Sequence, residues 1–237
     1  MLKIKGFTKR YGEKVAVDSL NLNISRGEIC AFIGHNGAGK TTTLKAAIGI
    51  LAFEEGDIRI DGMSIKEFPL ETKRVTAYIP DNPELYEYLS GAKYLNFVAD
   101  VYGVSAERRA ELVKKYSEKL GLIDELSAPI GTYSHGMKQK LAIIAAWIHS
   151  PKLILMDEPF VGLDPKASHC LKEMMREHCD NGGSIFFSTH VLDVAEKLCD
   201  KVAIIKGGKL VVEGSMDAVK GDASLEELFL ELEQSDD

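Results

Sequence analysis

The sequence predicts an α/β fold with an antiparallel β subdomain at its start and an α-helical subdomain inserted near its middle. Three observations lead to this prediction. Short apolar runs typical of buried strands, each ending in polar residues, occur at residues 29–33, 153–156 and 184–187. Two more strand-like stretches precede the first of these runs and predict the β subdomain. The pattern over about residues 82–150 is mostly helical.

The first third of the chain supplies the remaining strands that precede the helical region. They are predicted at residues 1–7, 18–25, 57–60 and 75–79. Tyr11 and Gly12 are expected in the turn between the first two strands. Pro80 and Pro83 end the last strand sharply, because proline cannot continue a strand ladder.

Helical periodicity predicts the elements of the middle and the end. Apolar residues recur three and four positions apart in residues 92–103 and 106–120. A third helix is expected from Met137 to about Ser150, where Pro151 stops it. The last predicted elements are a hairpin at residues 202–212 and a short helix at about residues 223–232. We expect one domain over residues 1–237, ending in a short acidic segment at about residues 216–237.

The composition is ordinary for a globular protein and excludes some classes of function. The net charge of −7 over 237 residues argues against a general nucleic-acid binder. No apolar stretch reaches the roughly 18 residues of a membrane span, and the start lacks a signal-peptide core, so a cytoplasmic location is expected. The cysteines match no zinc spacing and are expected to be small buried hydrophobes. They are Cys30, Cys170, Cys179 and Cys199.

The most specific motif, G-x-x-x-x-G-K-[ST], lies between the first apolar run and a helix start, at residues 34–41. Its glycines let the backbone approach an anion, and the loop N–H groups and helix N-terminus point at phosphate oxygens. Lys40 supplies a charge for the β- and γ-phosphates, Thr41 suits Mg²⁺, and Thr42 is placed for the α-phosphate. The phosphate-binding residues predicted here are Gly34, His35, Asn36, Gly37, Ala38, Gly39, Lys40, Thr41 and Thr42.

Two acids end the apolar run at residues 153–156. Buried acids are costly unless they have a partner or a function, and ligands bind at this end of parallel strands. Asp157 is placed to hold Mg²⁺ through water, and Glu158 to act as a general base. Asp164, just before Pro165, is either a helix cap or a site residue.

Three further side chains each keep two interpretations on the residues alone. Tyr11 suits either a purine-stacking platform or an ordinary turn tyrosine. Ser134 suits either a helix N-cap or a phosphate contact. His190 ends the run at residues 184–187, and this place beside the nucleotide motif favours a phosphate contact over a bland surface histidine.

With these stretches in place, the chain resembles the ATP-binding subunit of an ABC transporter over about residues 2–215. The phosphate loop matches the family's Walker A motif, and residues 153–158 match Walker B with the catalytic glutamate. Residues 161–164 resemble the D-loop, and residues 133–139 stand where the family's signature stands. The resemblance implies a P-loop NTPase core and a reaction in which MgATP is hydrolysed.

The same resemblance implies roles for single residues. Tyr11 is similar to the aromatic that stacks on adenine, and His190 to the switch histidine that orients the γ-phosphate. Glu158 would polarise the attacking water. Ser134 and Gly136 of one subunit would close over the phosphate loop of a second subunit.

Two departures from the family pattern concern the signature and the loop after residues 75–79. Only Ser134 and Gly136 of the signature match the usual LSGGQ. Asp81 stands where the family usually has a glutamine that contacts Mg²⁺ and the attacking water. An aspartate is shorter and anionic but still binds Mg²⁺, so Asp81 is expected at the metal.

The resemblance also implies partners. It predicts a head-to-tail homodimer or heterodimer of ATP-binding subunits with two ATP molecules between them, and no nucleic acid. The helical region and the Asp81 loop would dock a separately encoded transmembrane permease, which would hold the chain at the inner face of the cell membrane. Similar signatures occur among exporters of antibiotics and small ions. The alternative is a soluble ABC ATPase in an assembly process such as iron–sulfur cluster biogenesis.

Overall fold

The computed structural model describes residues 1–221 and 223–234, and its alternating strands and helices confirm the α/β fold class. The strands are β1 (Leu2–Tyr11), β2 (Lys14–Ile24), β3 (Ile29–Ile33), β4 (Glu55–Ile60), β5 (Met63–Ser64), β6 (Thr76–Ile79), β7 (Leu153–Asp157), β8 (Ser184–Thr189), β9 (Lys201–Lys206) and β10 (Lys209–Ser215). The helices are α1 (Lys40–Ala47), α2 (Pro69–Arg74), α3 (Gly91–Val101), α4 (Ala106–Lys119), α5 (His135–Ile148), α6 (Pro165–Asp180), α7 (Leu192–Leu198), α8 (Met216–Lys220) and α9 (Leu225–Gln234).

The larger sheet carries the site. Its strand order is β10-β9-β3-β8-β7-β6, and every neighbouring pair from β9 to β6 is parallel. Strands β3, β7 and β8 are buried along their whole length, as expected for strands covered on both faces. Their carboxyl ends meet at one edge, where the register places Asp157 beside Ser188. The motifs that follow these strands therefore come together in space.

The smaller sheet is the predicted antiparallel subdomain, with strand order β2-β1-β4-β5. Its first two strands are longer than the sequence pattern predicts. Tyr11 pairs with Lys14 and is the last residue of β1, so the turn comes at Gly12 and Glu13 and the expectation of a turn tyrosine was wrong. Shifts in the β1 register disturb the alternation of apolar and polar residues that marks a strand, so these ends were missed.

The helical region packs on the β6 side of the larger sheet. Helix α5 contacts α3, α4 and β6, and one apolar cluster joins Leu95 and Leu141 of this region to Ile29 and Met156 of the sheet. Residues 82–90 form no helix, so helical structure starts at α3, later than the predicted boundary. None of the helices in the described ranges is long and apolar enough to cross a bilayer.

The cysteines behave mainly as core residues. Cys30, Cys179 and Cys199 are buried, and this burial raises the pKa of each thiol above its usual value. Cys170 of α6 is only partly buried. The expectation of small buried hydrophobes is confirmed for the first three.

Candidate nucleotide-binding and hydrolysis site

The phosphate loop connects β3 to α1, and its glycines are needed where the backbone has no room. A Cβ at Gly34 would lie 2.4 Å from the Ile205 carbonyl oxygen, and one at Gly39 would lie 2.8 Å from that of Ala16. Gly39 also has a φ of 111° and stands at the N-cap of α1. No side chain caps this helix end, so its N–H groups face the loop. The result is a cradle of backbone donors suited to an anion.

Lys40 folds its ammonium back across the loop. Its Nζ donates to the carbonyl oxygens of Gly34 at 2.5 Å and His35 at 3.3 Å. It lies 3.9 Å from Glu158 Oε1. Burial lowers the pKa of Lys40, and the carboxylates of Glu158 and Asp157 oppose that shift. A positive charge is therefore held at the loop, beside the acids that end β7.

Asp157 lies at the end of β7 with both carboxylate oxygens engaged. Oδ2 accepts a hydrogen bond from the Thr41 hydroxyl at 2.6 Å, and Oδ1 accepts one from the Ser188 hydroxyl at 2.5 Å. The side chain is almost fully buried, so these bonds fix its orientation. The structure thus joins Thr41 to Asp157, as expected of a shared metal site.

The donor set fits Mg²⁺. Mg²⁺ prefers hard oxygen ligands and uses one or two carboxylates together with substrate phosphates, without needing an all-protein cage. A hydroxyl beside a carboxylate meets that need. Within the residues described, no three His, Cys, Asp or Glu side chains cluster as such a cage. Asp81 is exposed and lines the same cavity as Thr41 and Asp157.

Glu158 is held in an unusual backbone conformation. Its φ is 46°, a left-handed value that is uncommon outside glycine. Its N–H donates to the carbonyl oxygen and the hydroxyl of Ser188, at 3.2 Å and 3.1 Å. His190 Nδ1 lies 2.9 Å from Glu158 Oε2. Such strain persists only where neighbouring contacts enforce it and is frequent at functional sites.

Two adjoining cavities have Glu158 in their shared wall. The first, about 330 Å³, is lined by Tyr11, Lys14, Ala16, His35, Asn36, Gly37, Gly39, Lys40, Thr41, Thr42, Asp81, Asp157 and Glu158. The second, about 430 Å³, is lined by Ile33, Gly34, His35, Asn36, Asp81, Glu158, Val161, His190, Leu192 and Phe229. Tyr11 thus faces the first cavity and His190 the second, while Glu158 borders both.

Ser134 and Gly136 line neither cavity. Ser134 is exposed and caps α5, accepting a hydrogen bond from the Met137 N–H at 3.3 Å. A Cβ at Gly136 would lie 2.5 Å from the Gly162 carbonyl oxygen, so this turn packs on the loop at residues 161–164. Asp164 caps α6 through the Ala167 N–H at 2.8 Å. The capping interpretations of Ser134 and Asp164 are confirmed.

Several residues of this site were not predicted from the sequence, among them Ser188, Lys14, Ala16 and Phe229. Ser188 orients both Asp157 and Glu158, and Lys14 and Ala16 line the nucleotide side. The position of Ser188 directly after the apolar run at residues 184–187 was a usable signal, like that of the acids that follow residues 153–156. Lys14 and Ala16 come from β2, and only the packing of the two sheets brings them here.

A phosphate cradle, a hydroxyl–carboxylate pair and an adjacent acid together define a nucleotide-hydrolysing enzyme of the P-loop class. Residues 17–161 match the family model described as ABC transporter. The chain belongs to this family. It is an ATP-binding subunit that hydrolyses ATP.

Individual relatives agree with this assignment. The ABC-type transporter ATP-binding protein EcsA of Bacillus subtilis (strain 168) is 33% identical over 241 residues, covering 100% of this chain and 98% of that protein. The lantibiotic transport ATP-binding protein SrtF of Streptococcus pyogenes is 37% identical over 229 residues, 97% of this chain and 96% of that protein. A solved ATP-binding subunit of an ABC transporter has a TM-score of 0.95 and 36% identity, covering 99% of this chain and 100% of that one. These matches favour transport over the assembly alternative.

Proposed function

We propose that residues 1–237 act as one domain that hydrolyses MgATP between two paired chains and drives a separate membrane permease. The Thr41–Asp157 hydrogen bond carries the MgATP part of this proposal, since it joins the phosphate loop to the acid that ends β7. Thr41 and Asp157 would hold Mg²⁺, with Asp81 as a further carboxylate on the cavity wall. When bound, Mg²⁺ neutralises charge on the phosphates and helps to align them.

The remaining roles follow from which cavity each side chain faces. Tyr11, which is 51% exposed, offers a ring to adenine at the mouth of the first cavity. Lys40 and the loop N–H groups hold the phosphates. His190 occupies Oε2 of Glu158, so Oε1 is the oxygen placed to accept the proton of the attacking water. The side chain of His190 would then face the γ-phosphate of bound ATP.

The position of the signature turn supports pairing of two chains. Ser134 and Gly136 line neither cavity of their own chain, and Ser134 is exposed. Their N-terminal place on α5 suits contact with phosphate. We propose that they complete the site of a second subunit, identical or homologous, so that bound ATP holds the two chains together.

An aromatic face defined by Tyr86, Tyr88, Tyr94 and Phe97 supports docking of the permease. The rings of Tyr88, Tyr94 and Phe97 lie with centroids 5.8–6.3 Å from that of Tyr86. Tyr88 is 81% exposed, and exposed apolar patches of this kind mark interaction surfaces. Beside this face, a cavity of about 240 Å³, lined by a mixture of apolar, aromatic and polar residues, lies between the loop after β6 and helices α3 and α5.

We propose that an apolar-faced cytoplasmic segment of the permease occupies this cavity and holds the chain at the inner face of the membrane. The bilayer-crossing segments would come from that partner. Because SrtF is named for lantibiotic transport, we propose export as the direction of transport. The nearby Asp81 loop would couple docking to the nucleotide site.

Membrane fractionation of the native cells tests the docking proposal. We expect the wild-type chain in the membrane fraction and Tyr88→Glu in the supernatant, because a charge on the aromatic face opposes apolar docking. Val211→Glu is the matched control, since Val211 is an exposed apolar residue of β10 at the opposite edge of the sheet. Wild-type chain in the supernatant would contradict the transport proposal and favour an assembly ATPase.

A further inference from the structure

The C-terminal helix α9 contacts the phosphate loop of its own chain. The ring centroids of Phe229 and His35 lie 5.1 Å apart, with an interplanar angle of 56°. Phe229 also lines the cavity that holds Glu158 and His190. An acidic segment at the end of the chain thus supplies one wall of the hydrolysis site.

Helix α9 is anchored at both ends against the core. Near its start, Leu225 is fully buried, and its N–H donates to Glu196 Oε2 at 2.9 Å. Toward its end, the Lys206 ammonium donates to the Leu232 carbonyl oxygen at 2.7 Å. Lys206 ends β9, the strand beside β3. Phe229 therefore lies between an anchor on α7 and an anchor on β9, a strand of the sheet that carries the phosphate loop.

The contact with His35 leads directly to the catalytic groups. The His35 carbonyl oxygen accepts hydrogen bonds from the Ala38 N–H at 3.1 Å and from Lys40 Nζ at 3.3 Å. Lys40 Nζ in turn lies 3.9 Å from Glu158 Oε1. A displacement of His35 would move its carbonyl oxygen. This oxygen is one of the acceptors that hold the Lys40 ammonium opposite Glu158.

We infer that Phe229 is a positioning residue for ATP hydrolysis. Its ring fixes His35, and the part of the phosphate loop that contains His35 orients Lys40. This inference rests on the proposed roles of Lys40 and Glu158. Phe229 does not line the cavity that Tyr11 and Thr42 share. Its removal should therefore change the rate of hydrolysis and leave the binding of the adenosine part of ATP intact.

Steady-state ATPase assays on the purified full chain test the inference. We expect Phe229→Ala to lower kcat by up to about tenfold, the scale of losing one aromatic pair, with a smaller change in KM for ATP, because Lys40 also holds the phosphates. Phe229→Tyr keeps the ring and should keep the wild-type kcat. Phe229→Leu keeps apolar volume on the core but removes the ring, so it carries the test if the alanine variant unfolds.

Leu228→Ala is the matched control. Leu228 is the neighbouring α9 residue, packs against the core, and does not line the cavity of Glu158 and His190. An equal loss of kcat in Leu228→Ala would overturn the inference, because α9 would then act only as a structural support. A wild-type kcat in both Phe229→Ala and Phe229→Leu would also overturn it. Hydrolysis that survives Lys40→Ala would instead remove the proposed site itself.

Discussion

Two regions differ in how much of a complete site a single chain supplies. They are the phosphate-loop edge, where residues 34–41 meet the end of β7, and the signature turn at residues 133–139. At the phosphate-loop edge, Lys40 and Asp157 are buried and bonded to groups that the same chain supplies. At the signature turn, Ser134 is exposed and its hydroxyl is used to cap α5. This difference agrees with our proposal that one chain builds a pre-organised half-site and presents, at the signature turn, the piece that a second half-site lacks.

The largest expected effect comes from breaking the buried half. Lys40→Ala removes the positive charge that we propose faces the β- and γ-phosphates, and it leaves the Gly34 carbonyl oxygen without its 2.5 Å donor. We expect ATP hydrolysis to be abolished, because phosphoryl transfer depends on positioning and charge neutralisation. A phosphate-release assay checks this. Near wild-type turnover would show that the site lies elsewhere.

The two halves also differed in how well the sequence predicted them. The phosphate loop, Asp157 and Glu158 were predicted because residue type and local spacing carry their chemistry, and the structure brings these groups together. The hydroxyl of Ser188 was missed because its contact with Asp157 depends on the β7–β8 register. Local patterns do not state which strands become neighbours.

Phe229 and the ends of β1 and β2 were missed for similar reasons. The sequence correctly predicted a short helix at about residues 223–232, but it did not show that the Phe229 ring of this helix packs on His35 across the fold. The register shifts of β1 obscured the alternation that would extend this strand to Tyr11. Of the two interpretations of Ser134, the cap is confirmed, but it became visible only in three dimensions that the signature turn lines neither cavity of its own chain.

A smaller effect is expected at the rim of the buried half. Tyr11→Ala should weaken ATP binding by about 1–3 kcal/mol if the ring stacks on adenine. GTP binding should weaken comparably, because stacking hardly distinguishes the bases. Fluorescence titration of both nucleotides measures the change. Unchanged affinities would show that Tyr11 is only the last residue of β1. The proposed nucleotide contacts would then be the phosphate-binding groups alone.

We propose that ATP joins the phosphate-loop edge of one chain to the signature turn of another. The variant Glu158→Gln separates this pairing from hydrolysis. This variant keeps the shape of the side chain but removes its basic charge, so hydrolysis should slow by about 10²-fold or more while Lys40 and Thr41 still bind nucleotide. Bound ATP that favours the paired state shifts the population toward it.

Light scattering of purified Glu158→Gln, with and without MgATP, is the most direct measurement. We expect a monomer without nucleotide and a dimer with MgATP. Ser134→Arg added to Glu158→Gln should abolish the dimer, because it places bulk and charge at the signature turn, while nucleotide binding to the monomer persists. A monomer under every condition, or a dimer unaffected by Ser134→Arg, would contradict pairing through the signature turn.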